Sequence, residues 1–250
     1  MANAKRLPQS IALFTDFGEA GPYTGQVEAV LLASAADVPV VRLLSDAPLC
    51  NPRASAYLLS ALVKYQPRNT LFVSVVDPGV GGGRLPLLVQ TESHWFVGPD
   101  NGLFSQIVRD CPAAVVGAIE WRPDKLSASF HGRDLFAPVA AACARGEEID
   151  LLPQNPIDLV GADWPNDLME IIYIDHYGNA FSGARGDAFG DDVLIQVEGV
   201  DIGYARTFSD KDPGQPFWYR NSIGLVEIAV NQGRADQLLE LEIGQPLLVN

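Results

Sequence analysis

The stretch VVDPGVGGGRLP, Val75 to Pro86, sets an acid and a cation at the two ends of a loop rich in glycine. The acid is Asp77 and the cation Arg84. A carboxylate beside a guanidinium stays ionised, and the two together can hold and polarise a water molecule. Glycine lets backbone approach a ligand closely. Further along, SFHGRD supplies His131, a side chain that titrates near neutral pH and can orient or take a proton. An acid, a cation and an imidazole are the parts needed to move a proton on a nucleophile.

Four polar clusters fall where hydrophobic runs end: TDFG (15–18), DPGVGGGR (77–84), GPDNG (98–102) and FHGRD (130–134). Taken singly, each reads as a turn, since Asp, Asn and Gly favour turns for local reasons. Jointly they match the rule that ligands of open α/β sheets bind outside the carboxyl ends of the strands. The glycine loop lacks the GxxxxGK[ST] spacing and leads into no helix, so it is not a phosphate cradle. Asp16, Asp77, Asp100, His131 and Asp134 could each ligate a metal. No HxH or HxxxH pair occurs, however, and no metal site is expected.

These clusters need elements to position them. The spacing predicts strands over 10–15, 38–44, 69–76 and 113–119, a hairpin from 87–90 and 95–97, and helices over 23–34, 51–64 and 135–144. Asn51 followed by Pro52 is a helix start. Strands alternating with helices argue for an α/β layer with a largely parallel sheet. From 150 to 166 the chain carries three prolines and no periodic run, which reads as a boundary. Short strand-like runs follow over 169–174, 193–197, 207–208, 217–219, 223–230 and 246–249, with a short helix over 235–241. The expected organisation is an N-terminal α/β domain (1–155), a linker (156–168) and a smaller, antiparallel C-terminal β domain (169–250).

Composition narrows the class. Hydrophobic residues are 48% and charged residues 19%, which is enough apolar material for a folded core. The net charge of −14 argues against a nucleic-acid partner. Three cysteines without a CxxC pair indicate neither a disulfide framework nor a zinc site, and suit a reducing cytoplasm. The first residues, MANAKRLPQS, show no apolar leader, and no run is long enough to span a membrane.

The motifs TDFG, VVDPGVGGGR, GPDNG, SASFHGRDLFAPVAA, IDHYGNAFS and NSIGLVEIAVNQG, in this order, resemble those of the S-adenosylmethionine hydroxide adenosyltransferases. These are also called S-adenosyl-L-methionine hydrolases and are relatives of the fluorinase and chlorinase. The likeness runs from about residue 10 to the C-terminus. It implies an α/β domain followed by a β domain, and a homotrimer with the site at the subunit interface. S-adenosylmethionine is then substrate rather than cofactor, and no cofactor is expected. It also implies that Asp77, Arg84 and His131 form a water-handling triad. In that triad Arg84 stabilises developing hydroxide, while Asp77 and His131 accept and orient its protons. By the same likeness Asp16 holds the ribose hydroxyls and Asp175 meets the methionine ammonium. Tyr177 lies near the ligand, Asn179 reads the adenine edge, Ser222 meets the methionine carboxylate, and Val230 to Gln232 offer backbone to adenine.

Some positions depart from the family pattern. Glu28 stands where relatives often have lysine, Ser129 where they have threonine, and LLSDAP (43–48) replaces an Ile-Thr-His stretch. The fluorinase has a tyrosine at the position of Asp77 and a serine at that of Gly132. A carboxylate would repel a halide, so water ranks above chloride or fluoride as nucleophile. The alternatives are a halogenase, a non-catalytic sensor of adenosine or S-adenosylmethionine, and a metal-dependent hydrolase of another nucleoside.

Overall fold

The computed structural model describes residues 6–249. The leaderless start expected from residues 1–10 therefore falls partly outside the described range. The chain divides into two compact units. Among the described residues, one holds 6–56 with 66–164 and the other 57–65 with 165–249.

The first unit is a seven-stranded sheet with helices. Its elements are β1 (Ser10–Thr15), α1 (Tyr23–Ser34), β2 (Val40–Leu44), α2 (Pro52–Val63), β3 (Thr70–Val75), β4 (Pro86–Gln90), β5 (Trp95–Pro99), α3 (Ser105–Asp110), β6 (Val115–Ile119), α4 (Ala137–Ala144) and β7 (Leu151–Pro153). Helix α2 carries residues of both units. The strand order is β2-β1-β3-β5-β4-β6-β7. The pairs β2/β1, β1/β3 and β3/β5 are parallel, and β5/β4, β4/β6 and β6/β7 antiparallel. Five of the seven strands therefore run the same way, as the alternating pattern implies.

Strands β1 and β3 are apolar on both faces because each is covered on both sides. Ile11, Leu13, Leu71, Val73 and Val97 pack with Val27 and Leu31 of α1 and with Phe136 and Ala140. Burying each of the larger side chains is worth about 1.5–3 kcal/mol. Register matters most for the site: Thr15 pairs with Val75. Asp16 and Asp77 thus leave neighbouring strand ends on the same edge.

The second unit holds β8 (Leu168–Ile174), β9 (Ala180–Arg185), β10 (Ile195–Val197), β11 (Val200–Ile202), β12 (Pro216–Arg220), β13 (Leu225–Val230), α5 (Ala235–Leu238) and β14 (Leu248–Val249). They form an antiparallel sheet β12-β13-β9-β8 and a smaller one, β11-β10-β14. Trp218 anchors the core, fully buried, with its indole N–H donating to the Val193 carbonyl at 2.9 Å.

Several expectations need correction. β9 and α3 are absent from the periodic reading. β7 lies in the stretch read as featureless, and residues 207–208, read as strand, lead into a single 3-10 turn, Phe208–Asp210. Part of the expected linker packs on the first unit. Leu159 is buried, and Trp164 fills the space over Gly102 and Gly161 so closely that a Cβ at Gly102 would stand 2.1 Å from the indole.

Candidate functional site

Three of the four polar clusters converge at the edge where β1 and β3 end. Asp77 and Arg84 form a buried ion pair, their side chains only 4% and 10% exposed. Arg84 Nε donates to Oδ1 and Oδ2 of Asp77 at 3.1 and 3.0 Å, and Nη2 also pairs with Oδ2. The same Nη2 lies 2.9 Å from Nδ1 of His131. The guanidinium rests over the Phe136 ring, 5.4 Å from its centroid. Arginine has donors and no acceptor, so Nδ1 must be the acceptor and the neutral imidazole carries its proton on Nε2. Burial lowers the His131 pKa, and Arg84 lowers it further. The neutral form with a donating Nε2–H is thus the one favoured.

Local structure explains the aim of these side chains. Gly81 has φ +77°, and a Cβ there would stand 2.3 Å from the Ala128 carbonyl oxygen. The glycine loop can therefore lie directly against the segment that leads to His131. His131 precedes a π-helical turn, Gly132–Phe136, that runs straight into α4. Single π turns are frequent at functional sites because they shift the direction of side chains. A cavity of about 330 Å³ opens beside the network, lined by Gly81, Gly82, Arg84, Arg122, Ala128 and His131 among others.

Asp16 stands nearby. Its Oδ2 accepts from the Cys50 N–H at 3.0 Å. Its pKa is raised mainly by burial, and in small part by Asp77. The fourth cluster does different work. Asn101 Nδ2 donates to the Val76 carbonyl at 2.8 Å, tying down the base of the glycine loop. Asp100 accepts from the Val160 N–H at 3.1 Å. Asp134 pairs with Arg133 and accepts from the Ser127 N–H at 2.9 Å. These are structural contacts. Among the described residues no group of three His, Cys, Asp or Glu side chains is placed to hold a metal ion.

The second unit has its own cavity, of about 580 Å³. Asp175, Tyr177, Asn179, Ser222, Val230 and Gln232 all line it, so the six C-terminal positions singled out by sequence come together. Asp175 caps the turn between β8 and β9: its Oδ1 accepts from the N–H groups of Tyr177 and Asn179, each at 2.9 Å. Gly178 in that turn has φ +83°, and a Cβ would meet Asp236 Oδ1 at 2.4 Å. Tyr177 is 72% exposed.

Sequence reasoning missed the walls and floor of this cavity: Phe181, Phe208, Tyr219 and Glu227. Glu227 is 2% exposed and accepts from the Tyr219 hydroxyl at 2.5 Å. Burial raises its pKa to about 7, while the hydrogen bond from the Tyr219 hydroxyl opposes the rise. Burial, and then Glu227, lift the Tyr219 hydroxyl above its ordinary range. The signal was present in the sequence. LVEIAV is an apolar run with one acid inside it, and a lone acid in a buried strand needs a reason.

A buried acid–guanidinium–imidazole network at the carboxyl edge of an α/β sheet, joined in one chain to an aromatic-walled cavity in a β unit, is the equipment of a small-molecule enzyme. The chain belongs to the SAM hydroxide adenosyltransferase family. The model of that family's N-terminal domain matches residues 11–153, and that of its C-terminal domain residues 169–248. The (R)-S-adenosyl-L-methionine hydrolase of Thermus thermophilus is 34% identical, over 95% of this chain and 98% of that protein. The protein of the same name from Salinispora arenicola is also 34% identical, over 96% and 97%. Among solved structures, an uncharacterized conserved protein from Thermotoga maritima superposes with a TM-score of 0.84 at 27% identity, covering 96% of this chain and 99% of its own. A conserved hypothetical protein from Thermus thermophilus gives 0.78 at 32% identity, covering 97% and 100%.

Proposed function

We propose that this chain hydrolyses S-adenosyl-L-methionine to adenosine and L-methionine. The observation that carries the reading is the Asp77–Arg84–His131 network, intact in a chain that matches named hydrolases of this substrate over almost its whole length.

In this reaction a water oxygen bonds to C5′ of the ribose as the bond from C5′ to the sulfonium breaks. Methionine leaves as a neutral thioether, so no acid is needed for the leaving group. The nucleophile is the difficulty, because water is weak and must lose a proton. The network would hold one water about 3–3.5 Å from C5′, in line with the breaking bond. Because Arg84 already donates to His131 Nδ1, the imidazole offers Nε2–H to the water oxygen. His131 and Arg84 then stabilise developing hydroxide, and the Asp77 carboxylate receives the proton. This narrows the sequence-based expectation, in which Asp77 and His131 shared proton acceptance. Asp16, beside Asp77, is the acceptor for the two ribose hydroxyls. Asp175, Tyr177, Asn179, Ser222, Val230 and Gln232 bind the remainder of the substrate. The active assembly in this reading is a homotrimer with shared sites, no metal takes part, and the enzyme works in the cytoplasm. Among the described residues no helix is long and apolar enough to cross a membrane.

The halogenase reading is weaker because the buried Asp77 carboxylate would repel a halide. A Cβ at Gly132 would also press on Phe17 at 3.2 Å. The test is turnover of S-adenosyl-L-methionine in ¹⁸O-water containing chloride and a chelator, with products identified by mass. The label belongs in the 5′-hydroxyl of adenosine. Label in methionine, a 5′-chloro product in excess, or activity lost to chelator would overturn the reading. Sedimentation tests the assembly: a stable monomer with full turnover would exclude the trimer.

A further inference from the structure

The LLSDAP segment departs from the family pattern in its side chains, yet the chain that runs through it to Cys50 is tied to the TDFG loop at three points. Gly18 N–H donates to the Ser45 carbonyl at 2.7 Å, and Ala47 N–H donates to the Thr15 carbonyl at 3.0 Å. The third tie is the Cys50 N–H, which donates to Asp16 Oδ2 at 3.0 Å. None of the three uses a side chain of the 45–50 segment. Ser45 and Ala47 are buried, whereas Cys50 is exposed. Cys50 has φ +53°, in the left-handed region that side-chain-bearing residues seldom adopt. Its place in the chain gives the reason. Just before it a turn closes, with Asn51 N–H on the Pro48 carbonyl at 3.0 Å. Just after it α2 begins, with Asn51 Oδ1 accepting from the Ala54 N–H at 3.0 Å. One residue makes the change of direction between the two, and in doing so it aims its N–H at Asp16.

The last torsion of an aspartate is broad, so the plane of its carboxylate is set by what its oxygens accept. We propose that Cys50 is a positioning residue whose backbone N–H, held by the left-handed conformation, fixes the plane of the Asp16 carboxylate so that it meets two adjacent hydroxyls at once. A carboxylate has about four acceptor positions, and one of them is committed to Cys50. The remaining positions then have one orientation, which suits a pair of neighbouring hydroxyls. A carboxylate free to turn would satisfy one hydroxyl nearly as well as two. The inference rests on the proposed function, in which those hydroxyls are the 2′ and 3′ hydroxyls of the ribose. Its consequence is selection of ribose over deoxyribose. The thiol takes no part, and the conformation of residue 50 decides the outcome.

The test measures binding of adenosine and of 2′-deoxyadenosine to the full-length protein by calorimetry, for wild type, Cys50→Gly, Cys50→Asn, Cys50→Ala and Cys50→Val. Wild type is expected to prefer adenosine by roughly tenfold or more. Glycine and asparagine accept the left-handed region, so Cys50→Gly and Cys50→Asn should keep that preference within about twofold. A β-branched residue resists it most, so Cys50→Val should lower the preference about fivefold or more, with Cys50→Ala between. Because Cys50 acts through Asp16, adding Cys50→Val to Asp16→Ala should cause no further loss of preference. A wild-type ratio in Cys50→Val would overturn the proposal. So would a loss in Cys50→Gly as large as that in Cys50→Val, since the thiol would then matter, and so would additive losses in the double variant. If Cys50→Val does not fold, Cys50→Ala against Cys50→Gly decides by the same criterion. Wild type that binds both nucleosides equally would sink this inference, while turnover of S-adenosyl-L-methionine would still sustain the hydrolase reading. The expected series in a protein that leaves S-adenosyl-L-methionine intact would remove the hydrolase reading alone. If wild type binds neither nucleoside, this inference fails, and turnover decides the other.

Discussion

Arg84 Nη2 stands 2.9 Å from Nδ1 of His131. A guanidinium has only protons to give, so this one contact assigns the tautomer of the imidazole and makes Nε2 a donor. The distinction matters for the reaction, because a donor stabilises a forming hydroxide whereas an acceptor would take its proton.

Substitutions at His131 should respect that assignment. His131→Ala is expected to lower kcat on the order of 100-fold, the usual effect of losing a positioned catalytic group. His131→Gln can place an amide N–H close to the lost Nε2–H, and should recover roughly tenfold of the loss. Single-turnover rates from chromatography of adenosine would check it. A Gln variant no better than Ala would argue against a donor role.

Arg84 and Asp77 should report on stability as well as rate. With side chains 10% and 4% exposed, neither has enough water to replace its partner. Arg84→Ala leaves a buried carboxylate unpaired and is expected to cost about 3–5 kcal/mol of unfolding free energy. Its turnover should fall on the order of 100-fold in addition. Urea unfolding of the two proteins side by side is the measurement. A change below about 1 kcal/mol would mean that the pair is solvated in solution.

Glu227 makes a prediction with a definite sign in pH. Its folded pKa of about 7 lies above the ordinary 4.5. Between those values the folded state binds a proton more tightly than the unfolded state does. The contribution to stability is therefore complete below about 4.5 and is lost as pH rises through about 7. Glutamine has no proton to lose. Glu227→Gln should gain on wild type by roughly 2–3 kcal/mol between pH 5 and pH 8. His131 works in the opposite direction. Its lowered pKa means that stability is lost as pH falls below the ordinary 6.5. That effect is common to both proteins and cancels in the difference. Denaturation midpoints of the two proteins at both pH values would decide the matter.

Gly81 tests the loop itself. With φ +77° and the Ala128 carbonyl oxygen 2.3 Å from where a Cβ would sit, alanine cannot be accommodated without moving backbone. Gly81→Ala should keep the far-ultraviolet spectrum of the wild type and lose tenfold or more in turnover, because Arg84 shifts with the loop. Gly83, which has open space around its Cβ position, is the control and should tolerate alanine.

Local pattern by itself determined a good deal of this protein. The runs SIALFT and TLFVSV are strands because an unbroken apolar stretch of that length has to be covered on both faces. The polar residues that follow them mark the binding edge, since a parallel sheet places such ends together. The order of the six motifs was enough to indicate the family. What the pattern did not contain is what depends on partners distant in sequence. Strand β9, AFSGAR, is small and polar along much of its length and shows no alternation. It is a strand because β13 and β8 satisfy its backbone on either side. LLP, within a proline-rich stretch, becomes β7 because the exposed edge of β6 accepts it. Phe208, read as strand, belongs to a 3-10 turn and packs edge-on against Phe217 and Tyr219. The site divides in the same way. Sequence pointed to Asp77, Arg84 and His131 as an acid, a cation and an imidazole. Which nitrogen of His131 accepts from Arg84 was decided by a contact between residues 47 positions apart in the chain. Glu227 was visible only as an acid in an apolar run. Its partner Tyr219 stands opposite it on β12, and only the pairing of the two strands gives the carboxyl something to hold.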